Sequence, residues 1–114
     1  MHEMGIAAEI SRIVLDEAER GGGGRVNSIS LTIGRWSGVE IETLRFAMEV
    51  VAEETGLDGV ELKIEVVEPT FKCSDCGREF IAESRLTPCP SCGSMAGDMV
   101  AGDELAIKEI EVEE

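Results

Sequence analysis

The sequence has no tyrosine and only one histidine, and that histidine is residue 2. Without a second imidazole to act as a base, and without a glycine-rich phosphate loop, a hydrolase or transferase has no support. Basic residues are also scarce: ten lysines and arginines stand against twenty-four acids, a formal charge of −14. Nucleic acid is bound by neutralising phosphates, so this balance argues against it as a partner. The same balance argues against an anionic membrane surface. No apolar run approaches the ~20 residues of a membrane span. The opening MHEMGIAAEI lacks the basic stretch of a secretory signal. The expectation is a soluble, cytoplasmic protein.

What is present fits one domain, or one domain with a small appendage, in 114 residues. Residues 4–20 carry Met4, Ala7, Ala8, Ser11, Val14, Leu15 and Ala18 at helical spacing, with Ile6, Ile10 and Ile13 widening the apolar face, so a first helix with these on its inner face is predicted. Gly21 to Gly24 should stop it with a left-handed cap. Ile29, Leu31 and Ile33 then alternate with Ser28, Ser30 and Thr32, the period of a half-buried strand. Ser37 and Glu40 fit a capping box ahead of a second helix, whose inner face is Ile41, Leu44, Ala47, Val50 and Val51 and whose stop is Gly56.

A second strand follows through Val60, Leu62, Ile64 and Val66, closed by Pro69. Residues 70–103 break the pattern, and Leu105, Ile107, Ile110 and Val112 resume a strand with a bulge between 107 and 110. Helix two serves as a right-handed crossover between parallel strands, and the last strand returns antiparallel. The predicted fold is α/β: a small mixed three-stranded sheet covered by two helices, with an inserted zinc-ribbon-like lobe of four cysteines. The expected division is 1–68 with 104–114 as one domain and 69–103 as the other.

The insert holds Cys73-Ser-Asp-Cys76-Gly and Cys89-Pro-Ser-Cys92-Gly, with twelve residues between the pairs. In each knuckle the turn aims two sulfurs at one metal, and the following glycine permits the tight reversal. Two knuckles supply a closed tetrahedral set, which suits structural Zn(II). Cys73, Cys76, Cys89 and Cys92 leave no open coordination position, so this metal is scaffolding and not a catalyst. Two disulfides would need an oxidising compartment, and thioredoxin-like chemistry uses one such pair in a βαβ setting. A rubredoxin-like iron site is the sharper rival. Only Phe71 and Phe80 lie near to shield it, and zinc is preferred.

At the other end, Met1-His2-Glu3 offers a terminal amine, the amide nitrogen of residue 2 and the His2 Nδ1 in fused five- and six-membered chelate rings. Three nitrogens in one plane suit Ni(II) or Cu(II) better than Mg, Ca or Mn. Protons must leave, so binding should strengthen as pH rises through the imidazole pKa near ~6.5. The plain alternative is a solvated histidine at a terminus.

Met1-His2-Glu3-Met4, the turn Gly34-x-x-Ser37-Gly38-Val39-Glu40, Leu44-Arg45-Phe46-Ala47 and the paired knuckles together resemble the HypA family of hydrogenase nickel-incorporation proteins. The match runs in order over nearly the whole chain. The resemblance implies a metallochaperone that binds Ni(II) as cargo at its N-terminus and carries structural zinc in a separate lobe. It implies delivery, with the GTPase HypB, to the large subunit of NiFe hydrogenase, and in some members to urease. On these positions His2 matches the nickel ligand, Glu3 its neighbour, and Cys73, Cys76, Cys89 and Cys92 the zinc ligands. Where some members offer a further histidine near the zinc lobe this chain has none, so the Met1 amine, the Glu3 amide or carboxylate, or a partner protein is left to complete the site. Met4 is expected in the core and not as a thioether ligand.

Two other classes stay beside this one. A zinc-ribbon adaptor that binds only protein would be indifferent to His2→Ala, and an iron-containing electron carrier would be coloured. The GTPase is expected on helix one, near Glu9 and Asp16. Coupling between the two metal sites is expected through the Pro69–Phe71 connector. The exposed edges of a three-stranded sheet suit pairing into a homodimer.

Overall fold

The computed structural model describes residues 2–113. In chain order they form α1 (Glu3–Arg20), β1 (Val26–Gly34), α2 (Ile41–Thr55), β2 (Glu61–Val67), β3 (Thr70–Cys73), β4 (Glu79–Ile81), β5 (Gly97–Ala101) and β6 (Leu105–Val112). One mixed sheet has the order β2-β1-β6, with β1 parallel to β2 and antiparallel to β6. The crossover through α2 and the antiparallel return are as the periodicity predicts. A second sheet, β4-β3-β5, is antiparallel throughout and lies within the cysteine segment. No helix among the described residues is long and apolar enough to cross a membrane.

Alternation along β1 sends Ile29, Leu31 and Ile33 into one core with Ala7, Ile10 and Val14 of α1 and Leu44, Ala47, Met48 and Val51 of α2. The opposite face of the sheet is polar. There Ser28 donates to Glu111 at 2.9 Å, and Lys63 pairs with both Glu111 and Glu61. Ser30 opposes Glu109 while Leu31 opposes Ile107, which leaves Lys108 as the extra residue of the bulge. That bulge lets Ile107 and Ile110 both pack on the core.

Four local expectations are corrected. Gly21 caps α1 at φ −83°, and the left-handed residues are Gly22, Gly23 and Gly24 after it. Ser37 and Glu40 do not form a capping box. The chain is still extended at Glu40, which is itself the N-cap and accepts from the Glu42 N–H, while the Ser37 hydroxyl accepts from the Val39 N–H. Met4 is 48% exposed and not in the core, because it stands in the first turn of α1, one turn before Ala7, where the buried stripe of the helix begins. Ala8 is also exposed, while Ile10 of the same predicted face is buried.

The α1–α2 contact contains one uncompensated group. Ser11 is 1% exposed, and its hydroxyl has no hydrogen-bond partner among the described residues. A buried unpaired hydroxyl costs roughly 1–3 kcal/mol, and alanine is the better helix former. Ser11→Ala should therefore stabilise the protein by about 1–2 kcal/mol, raising the thermal midpoint by roughly 4–8 °C. A lower midpoint in calorimetry would mean that the hydroxyl is in fact satisfied.

The molecule is elongated, 53 × 26 × 16 Å, with a radius of gyration of 17.7 Å. A compact domain of this length would have about 13 Å. The two sheets do not share a core: Phe71, Cys73, Phe80, Ala82 and Cys89 form a second, smaller one.

Candidate metal centre

The four cysteines come from two turns built alike. In the first, Cys73 N–H donates to Arg78 O at 2.8 Å and Gly77 N–H to Cys73 O at 2.9 Å. In the second, Cys89 N–H donates to Ser94 O at 2.9 Å and Gly93 N–H to Cys89 O at 2.8 Å. Gly77 and Gly93 stand at φ 79° and 76°, left-handed backbone that other residues adopt only with strain. Those two glycines let each chain reverse tightly enough for both of its sulfurs to face inward. Arg78 donates to the Ser91 hydroxyl at 2.8 Å and the Ser94 hydroxyl to Asp75, so each turn is also tied to the other.

All four sulfurs lie within 4.8 Å of one another. Cys73 and Cys92 are 3.6 Å apart, as are Cys76 and Cys89. A tetrahedron with metal–sulfur bonds near ~2.3 Å has edges of about 3.8 Å. The cysteines are free thiols at the spacing of a coordination shell.

The protonation pattern supports the same use. The Cys76 N–H, then that of Asp75, hold the Cys73 thiol below its ordinary value. The Cys92 N–H, then that of Ser91, bring Cys89 down to about 6. In the other two, a backbone N–H from Arg78 or Ser94 favours ionisation but is outweighed. Contact with the Cys89 sulfur and burial push Cys76 up, and contact with Cys73 and burial push Cys92 up to about 12. Four thiolates cannot ionise together at this distance without a cation among them.

Cys73 and Cys89 are buried, and Cys76 and Cys92 are on the surface. The buried pair shares its core with Phe71 and Phe80, and Trp36 packs against that cluster from the loop after β1. Trp36 meets the edge of Phe71 with ring centroids 6.0 Å apart and planes at 89°. Sequence reasoning missed this residue. Its one signal was being the only tryptophan, with no place in either periodic helix.

The N-terminal candidates are differently placed. Met1 lies outside the described residues. His2 is exposed at the N-cap of α1, with φ −91° and ψ 90°, and its side chain makes no cap hydrogen bond. Glu3 is engaged: one carboxylate oxygen accepts the Glu40 N–H at 2.9 Å. That N–H, followed by the N–H of Glu3 itself, holds the Glu3 carboxyl below its ordinary value. An apolar groove of about 560 Å³ runs beside His2 between α1 and β6, floored by Leu31 and Ile107. Among the described residues, no third histidine, cysteine or carboxylate gathers with His2 and Glu3, whereas the four cysteines do form a ligand group.

Comparison with known proteins covers nearly the whole chain. The family profile described as "Hydrogenase/urease nickel incorporation, metallochaperone, hypA" matches residues 1–112. The hydrogenase maturation factor HypA of Geotalea uraniireducens is 41% identical over 113 residues, covering 99% of this chain and all of that one. The corresponding factor of Cereibacter sphaeroides strain KD131 is 42% identical over the same coverage. In fold, the chain is similar to the solution structure of the Ni metallochaperone HypA from Helicobacter pylori. The TM-score is 0.67 at 20% identity, covering 98% of this chain and 97% of that one. A second HypA solution structure gives a TM-score of 0.73, also at 20% identity, over 98% and 96% of the two chains. The chain belongs to the HypA family of hydrogenase and urease nickel-incorporation metallochaperones.

Proposed function

We propose that this chain binds Ni(II) through His2 at its N-terminus and passes it on, with the GTPase HypB, to the large subunit of NiFe hydrogenase. Urease is the other recipient that membership in this family suggests. The observation that carries the reading is an exposed, uncapped His2 at the start of α1 in a member of a nickel-incorporation family. A carrier must release its cargo. An exposed imidazole at a chain end, with no further side-chain ligand gathered round it among the described residues, holds a metal without burying it. The Met1 amine and the backbone amides of the first residues supply further nitrogens. Glu3 has one oxygen committed to Glu40, so its role is to fix the start of α1 as much as to bind.

In the same proposal Zn(II) occupies the four-cysteine site. Cys73, Cys76, Cys89 and Cys92 would hold it, and it would supply charge neutralisation and a cross-link. Residues 1–68 and 104–114 are the nickel-binding unit, and 69–103 the zinc-binding unit. The protein is a carrier in the cytoplasm and not an enzyme. HypB would dock along α1, because that brings it beside residues 1–3.

Nickel titration of tag-free, metal-loaded protein beside His2→Ala tests this. The unmodified chain should bind about one equivalent with a planar-nitrogen absorption band, weakening in acid as protons compete with the metal for its nitrogens. His2→Ala should lose at least about tenfold in affinity and lose the band. Equal binding by both proteins would make His2 a solvated terminus and put the nickel elsewhere, and binding by neither would make the chain an adaptor without nickel cargo.

A further inference from the structure

The loop that joins β1 to α2 touches everything that connects the two sheets. Gly34 N–H donates to Glu104 O at 2.7 Å and Arg35 N–H to Val67 O at 2.9 Å. Trp36 N–H donates to Gly102 O at 2.8 Å. The Arg35 guanidinium grips Glu68 with two bonds, at 2.8 and 2.6 Å. Both connectors of the cysteine lobe, the outgoing one at 67–69 and the returning one at 102–104, are thus held by three consecutive residues of one loop.

The same loop reaches both candidate metal sites. At its start the Trp36 ring leans edge-on to Phe71, which shares a small core with Cys73 and Cys89, and the Arg85 guanidinium covers the ring at 5.1 Å. At its end the Glu40 N–H is held by the Glu3 carboxylate, next to His2. Between them, Ser37 N–H bonds back to Gly34 O at 3.0 Å and the Ser37 hydroxyl accepts from Val39. Two of the three intervening residues, Ser37 and Val39, are therefore tied by hydrogen bonds.

The geometry points to Trp36 as a latch between the lobes. Its ring is seated only while residues 69–103 are folded around a metal, and its seating sets how firmly the Glu40 N–H is presented to Glu3. The two-state element is the lobe itself. Its small core is Phe71, Cys73, Phe80, Ala82 and Cys89, two of them the thiols, so the surface that receives the Trp36 ring, with Phe71 and Arg85 against it, exists only with the metal-bound fold. Without it, Trp36 has no aromatic partner, and the turn from 37 to 40 keeps only its own short-range bonds and the one from Glu40 to Glu3. Trp36 is a positioning residue. This is a second route between the sites besides the covalent connector at 69–71. It rests on the metal reading of the four cysteines and not on nickel.

The test uses the full chain and no nickel. Indole and amide signals are followed by NMR in zinc-loaded and chelator-stripped protein, with zinc content measured by mass spectrometry. In the unmodified chain, stripping should move the Trp36 indole signal and speed hydrogen exchange at the Glu40 amide roughly five- to tenfold, the worth of one hydrogen bond. Trp36→Ala should bind zinc with unchanged stoichiometry, yet exchange at Glu40 at the fast rate whether zinc is present or not. Trp36→Phe, which keeps an aromatic edge contact, should recover part of the difference. Zinc bound with a Trp36 indole and a Glu40 amide indifferent to its removal would overturn the latch alone. A chain that binds no zinc at all would overturn the four-cysteine reading and the latch with it.

Discussion

Removing the metal from the four-cysteine site is expected to unfold residues 69–103 and leave the helices and the β2-β1-β6 sheet intact. The two units have very different resources. The body buries fifteen apolar residues in one cluster spanning α1, β1 and α2. The lobe buries five, two of them cysteines, on strands of four, three and five residues. Structural zinc in small domains is worth roughly 10–16 kcal/mol of apparent binding energy near neutral pH. That exceeds anything five buried side chains supply against the ordering of the segment. Chelation should keep the helical far-ultraviolet signal, collapse the amide dispersion of 69–103, and open Lys72, Arg78 and Arg85 to trypsin. Acid should act in the same direction, since protons compete with the metal for the thiolates. Cys89→Ser should reproduce most of the effect, because it removes one of the four gathered sulfurs and a buried member of the lobe's small core. Loss of the whole fold on chelation would show that the lobes are one cooperative unit. No change would show that the site is not structural.

How much of this was legible follows from how local each cause is. The knuckles were legible because their chemistry is contained in five residues each: two cysteines, a reversing glycine and backbone N–H groups that need no distant partner. The mixed sheet was legible because Ile29, Leu31 and Ile33 carry a period of two that only one buried face explains. The bulge at Lys108 was legible because the spacing of Ile107 and Ile110 violates that period. Strands β3, β4 and β5 were not, since elements so short show no periodicity and owe their order to the knuckles. The capping box failed because a distant group takes its place: Glu40 stands in extended backbone as the N-cap, and its N–H is bound by the Glu3 carboxylate 37 residues away. Met4 failed because helical spacing names a face but does not say where along the helix the buried stripe begins. At the N-terminus, exposure of His2 is now a structural fact, but the bond from Glu40 to Glu3 spans 37 residues and had no trace in local pattern.

Gly34→Ala should be the most damaging single substitution in the body, although Gly34 is not at positive φ and needs no conformational freedom that alanine lacks. The reason is approach. A Cβ on Gly34 would sit 2.1 Å from Gly102 O, 2.2 Å from its carbonyl carbon and 2.4 Å from Asp103 N. All three are backbone atoms, so no rotamer change relieves the clash. Gly102 has no room to retreat. It lies at φ +123°, and the corresponding position on its other side is 2.6 Å from the Cα of Pro69. The end of β1, the returning connector and the outgoing connector are thus three backbones stacked with nothing between them. Alanine must pry β1 from the returning chain. That breaks the bonds from Gly34 N–H to Glu104 O and from Trp36 N–H to Gly102 O, and loosens the pairing of Ile33 with Leu105. Overpacking and two lost hydrogen bonds together cost about 3 kcal/mol or more, a fall of roughly 10 °C or more in the thermal midpoint. Gly5 is the internal control: it lies in α1, is likewise not at positive φ, and nothing lies within 4 Å of the position its Cβ would take. Gly5→Ala should melt no lower than the unmodified chain. The four-cysteine site should still load fully in Gly34→Ala, because both knuckles lie beyond the junction. A Gly34→Ala protein that melts within about 1 °C of the unmodified chain would mean that the three backbones do not meet here, and that the lobes are joined only by their connectors.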